Sequence, residues 1–67
     1  MKAEFDTKNN RLDISECPFT NIRVIHDEIE IVDIPLQDGC GFAENLPIES
    51  LYQVTYQPYN RLDNKND

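Results

Sequence analysis

The chain has 67 residues, 13 of them acidic and 6 basic, for a formal net charge of −7. That length holds one domain, and an enclosed ligand cavity of roughly 300 Å³ would take core volume so small a domain can hardly spare. Lys and Arg are too few to grip a phosphate backbone or an anionic lipid surface, so neither nucleic acid nor membrane is an expected direct partner.

In chain order, Lys2 to Asp6 alternates polar and apolar residues, with Ala3 and Phe5 on one face. Thr7-Lys8-Asn9-Asn10 reads as a turn, because Asn tolerates positive φ. Arg11 to Ser15 alternates again, with Leu12 and Ile14 inward. These two segments form an expected hairpin. Pro18 cannot donate to a ladder, so the strand ends before it.

Ile22–Ile25 and Ile29–Ile34 are rich in Val and Ile, as a half-buried pleated surface prefers. His26-Asp27-Glu28 between them is either the turn of a second hairpin, the favoured reading, or a bulge in one long strand. Leu36 to Gly41 is a loop holding both glycines, with Asp38-Gly39 as a tight-turn pair. Pro47 suits a first helical position, so at most one short helix is expected, near 47–51. Tyr52 to Tyr56 alternates as a last strand, with Tyr52, Val54 and Tyr56 on one face and Pro58 ending it.

The expected fold is mainly β, either all-β or α+β. It is one small antiparallel sheet of about four to five strands built from consecutive hairpins. Residues 1–60 make the domain, and residues 61–67, with Leu62 as their one apolar side chain, read as a frayed tail. The first residues have no apolar run of a secretory signal, so the expected location is cytoplasmic. There Cys17 and Cys40 stay reduced thiols, each read as a small apolar residue.

The charge is unevenly placed. From Leu12 to Asn60 there are nine acidic residues and one cation, Arg23. Asp27, Glu28, Glu30 and Asp33 form the densest cluster, and Asp13 and Glu16 could lie near it. Glu28 and Glu30 on one strand would stand about 6.6 Å apart. That approaches the phosphate spacing of a nucleic-acid strand, with a rise of roughly 3.4 Å per nucleotide. In the plain reading these carboxylates only keep a small protein soluble.

Motifs for chemistry are weak. His26 is a lone histidine, and Asp27 would point to the opposite face of a strand. Neither Ser15 nor Ser50 sits in a nucleophile motif. Cys17, His26 and Cys40 lack the close ligand pairs of a zinc site, and no calcium or phosphate loop is present. No catalytic, metal or cofactor site is expected.

The function that fits is binding. An acidic face would occupy a basic, nucleic-acid-binding surface of a partner protein and block it. Small anti-CRISPR and anti-restriction inhibitors of phages and mobile elements share that size and charge, an analogy not carried by any motif. The expected contact residues are Asp27, Glu28, Glu30, Asp33, Asp13 and Glu16, with Tyr52 and Tyr56 as anchors. The alternative is an immunity-like, antitoxin-like or accessory subunit that binds by a sheet edge and apolar contacts. A homodimer is a further way to supplement a thin core.

Overall fold

The computed structural model describes residues 1–62. Six strands run in chain order: β1 (Lys2–Asp6), β2 (Arg11–Ser15), β3 (Asn21–His26), β4 (Ile29–Pro35), β5 (Gly41–Ala43) and β6 (Thr55–Tyr59). They form two three-stranded antiparallel sheets, ordered β1-β2-β5 and β4-β3-β6. The protein is mainly β, but the single sheet of four to five strands is corrected to two sheets. The cause lies between β2 and β3. Glu16 takes φ 56° and Pro18 interrupts the ladder, so the chain leaves the first sheet before β3 begins.

Each central strand supplies the inward residues. Leu12 and Ile14 come from β2, and Ile22 and Val24 from β3. Ile34, Cys17, Leu46 and Ile48 complete one shared core. The last two lie on the segment after β5, and Asn10 ties that segment down. Its Nδ2 donates to the Leu46 carbonyl at 2.8 Å and to the Ile48 carbonyl at 2.7 Å. Carbonyls engaged this way, with Leu46 and Ile48 both inward at alternate positions, describe an extended path. No α-helix forms at 47–51, within the expected limit of at most one. A single 3-10 turn, Leu51–Gln53, follows instead, capped by Ser50 Oγ accepting from the Tyr52 N–H at 3.2 Å.

Two tight turns shape the strands. His26 pairs with Ile29, leaving Asp27 (φ 54°) and Glu28 (φ 66°) as a two-residue loop with both residues left-handed. That is the type I′ hairpin, whose twist matches the flanking strands. Asp38 (φ 55°) and Gly39 (φ 81°) make the same turn between Gln37 and Cys40. One β-bulge follows the first turn, where Ile31 is the extra residue of β4.

The last strand lies three residues later than expected and includes Pro58. Proline is tolerated because β6 is an edge strand, so its missing N–H need not reach a neighbour. In the expected tail, the Arg61 N–H donates to Thr20 Oγ1 at 2.7 Å and Leu62 is exposed. The rest of that tail, residues 63–67, lies outside the described residues.

Candidate functional site

The expected acidic cluster is divided between the β3–β4 turn and strand β4. Asp27 and Glu28 are exposed at the tip of the β3–β4 hairpin, beside Ile29, which is 65% exposed. Glu28 belongs to the turn, so no strand-spaced pair with Glu30 exists. Glu30 and Asp33 face the outside of the second sheet, where other side chains already hold them. Arg23 Nε lies 2.8 Å from Glu30 Oε1, an ion pair without hydrogen-bond alignment. The same guanidinium donates to Gln57 Oε1 at 2.9 Å and stacks 4.5 Å from the Tyr59 ring centroid. Asp33 accepts from the Tyr59 hydroxyl and from Asn21 Nδ2, the latter at 3.1 Å. The hydrogen bond to Asp33, then burial and the Asp33 charge, raise Tyr59 above its ordinary pKa, against an opposing pull from Arg23.

The two expected tyrosine anchors separate. Tyr52 stands out on the 3-10 turn, 98% exposed. Tyr56 pairs with Val24 and packs against the core, where burial raises its phenol. Tyr56 is therefore a partly buried residue on the flank of the core.

The first sheet carries a surface that sequence reasoning missed. Its register sets Glu4 opposite Asp13, and Asp13 opposite Phe42. Alternation then puts nine side chains on its outer face in three rows. β1 offers Lys2, Glu4 and Asp6; β2 offers Arg11, Asp13 and Ser15; β5 and its continuations offer Cys40, Phe42 and Glu44. Phe42 is 52% exposed at the centre of its row. An open groove of about 800 Å³ runs beside it, lined among others by Glu4, Asp13, Ser15, Asp38, Cys40 and Phe42. No cation lines this groove.

Arg11 closes the other side of the ring. Its guanidinium carbon stands 4.1 Å from the Phe42 centroid. Nε donates to both Asp13 carboxylate oxygens at 3.1 and 3.0 Å, and Nη2 donates to Oδ1 at 3.0 Å. Nη1 reaches Glu44 at 3.3 Å. The Asp13 hydrogen bond, with the Asp13 and Glu44 charges, raises Arg11 further above its ordinary value. Asp13 is thus a groove wall whose charge is partly met from within.

Glu16 sits next to this face. The Cys17 N–H donates to the Gly39 carbonyl at 3.2 Å, which sets the Glu16 turn beside the Asp38-Gly39 turn. Of the expected contact residues, Asp13 lines the groove, Glu16 lies in the turn beside the Asp38-Gly39 turn, and Asp27 and Glu28 stand at a hairpin tip.

Among the described residues no three metal-ligating side chains converge. Cys17 is buried and Cys40 exposed, and both are free thiols. His26 Nδ1 lies 4.0 Å from its neighbour Asp27. No helix among the described residues is long and apolar enough to cross a membrane. Comparison with known proteins gives no match, whether to a family model, a curated protein or a solved structure.

Proposed function

We propose that this chain is a binding protein that lays the acidic outer face of its β1-β2-β5 sheet on a basic surface of a protein partner. The observation that carries the reading is the groove. It joins Glu4, Asp13 and Asp38 to an exposed aromatic ring and contains no cation. Glu4 and Asp6 stand on one face of β1 at about 6.6 Å, the strand spacing close to that of phosphates. A surface built to hold nucleic acid is the natural complement, and covering it would block that partner, as small anti-defence inhibitors do. Opposed potentials speed such an encounter and fix its register.

The strand-addition alternative has less behind it. β6 carries Pro58 at its open edge, three of the five β1 residues are charged, and β4 is bulged. Each feature blunts an edge against a further strand.

The test is an affinity pull-down at low and high salt with the native chain, a Glu4→Lys/Asp38→Lys variant and a Glu30→Gln variant. Basic partners are expected at low salt and are released at high salt. The double charge reversal lowers recovery roughly tenfold, as two exposed ion pairs become repulsions. Glu30→Gln leaves recovery unchanged. Partners that ignore both salt and the charge reversal refute the reading.

A further inference from the structure

Resting on that reading, we infer that the groove is selective for arginine over lysine, and that it takes an extended partner segment whose guanidinium stacks on the open side of Phe42. The protein displays the chemistry on itself. One side of the Phe42 ring already holds a guanidinium, that of Arg11, forked onto Asp13 and touching Glu44. Ring and carboxylates together are thus a cradle for a planar cation.

The open side repeats the components. The β2–β5 register places Leu12 against Ala43 and Ile14 against Gly41. Continued outward, it sets Arg11 and Glu44 on one flank of Phe42, and Ser15 and Cys40 on the other. The Arg11–Glu44 ion pair agrees with that continuation. The remaining exposed ring surface lines the groove with Glu4 and Asp38, both exposed carboxylates. Lys2 pairs with Ser15 at the margin of this flank and is absent from the groove lining. An arginine entering there meets a ring face and two acceptors, as Arg11 does on its own side.

Geometry favours arginine. A guanidinium is planar, weakly hydrated and able to stack while donating in its own plane. An ammonium is a strongly hydrated point charge that gains less from the ring. The groove is open, so an extended segment fits it better than a folded knob. A cation over a ring at an exposed site gives about 2- to 5-fold in affinity.

The experiment is an NMR titration of the full chain with two capped pentapeptides, Gly-Arg-Gly-Arg-Gly and Gly-Lys-Gly-Lys-Gly. The Phe42 ring protons and the amides of residues 4 and 38–43 are followed. The arginine peptide is expected to move the ring resonances and to bind about 2- to 5-fold more tightly than the lysine peptide. Phe42→Leu weakens the arginine peptide more than the lysine peptide and so brings the two close to parity. Phe42 is half exposed, so the variant keeps its fold, which the remaining amide spectrum verifies. Equal binding of the two peptides at this face overturns the arginine selectivity and leaves the acidic docking face standing. Binding of neither peptide, or shifts confined to other surfaces, overturns both.

Discussion

Glu28 is the sharpest place to test the fold. It occupies the second central position of a type I′ turn with φ 66°, after Asp27 at 54°. A side chain with a Cβ in that region costs roughly 1–2 kcal/mol, from contact with the following carbonyl. Glycine removes the contact, but it gives back about 0.4–1 kcal/mol through the freedom of the unfolded chain. Glu28→Gly is therefore expected to stabilise the protein by about 0.5–1 kcal/mol. In a domain of this size that raises Tm by roughly 2–8 °C. The companion Glu28→Val places a β-branched residue at positive φ and is expected to lower Tm. Thermal unfolding followed by far-ultraviolet circular dichroism reads both. A fall with Gly, or no difference between Gly and Val, refutes the left-handed turn and the His26–Ile29 register with it.

Two further outcomes follow from packing and titration. A Cβ on Gly41 would lie 2.5 Å from the Pro35 carbonyl oxygen and 2.9 Å from Ile34 Cγ2. Gly41→Ala is expected to cost about 1–3 kcal/mol, as overpacking does, measured by urea denaturation. Tyr56 and Tyr59 both have pKa values raised on folding, so each binds its proton more tightly in the native state. Their contribution is complete below the unfolded value of about 10 and is lost as pH rises through the higher folded values. Stability is thus expected to fall above about pH 10, and Tyr59→Phe shallows that fall, as urea midpoints between neutral and alkaline pH will show.

The hairpins were readable because their alternation is local. Ala3, Phe5, Leu12 and Ile14 fall inward at every second residue, and the strands at Lys2–Asp6 and Arg11–Ser15 sit where the pattern predicts. β5 was not readable. It has three residues, and its inward positions are the small Gly41 and Ala43, with the Pro35 backbone passing close to Gly41. No apolar alternation survives there, and the one bulky residue, Phe42, faces out. Missing β5 hid the second sheet and the groove with it. The partners of the acidic cluster were hidden for a related reason. Density along the chain says nothing of what lies across the sheet, and Arg23 and Tyr59 reach Glu30 and Asp33 from neighbouring strands. β6 was displaced because Pro58 signals a strand end in any context except an edge.

The sheet order also sets a sequence of events. β3 and β4 are joined by two residues, so their pairing closes almost no loop. β6 pairs with β3 only from far along the chain, Tyr59 opposite Asn21, and pays the entropy of closing everything between them. The two local hairpins can therefore form while the chain is still emerging from a ribosome, whereas β5 and β6 must both dock across long stretches of chain. Until β6 docks, Val24 lacks the cover of Tyr56, and Arg23 has no ring to lie on. The stacked arginine on the second sheet is a seal that only a distant strand can supply.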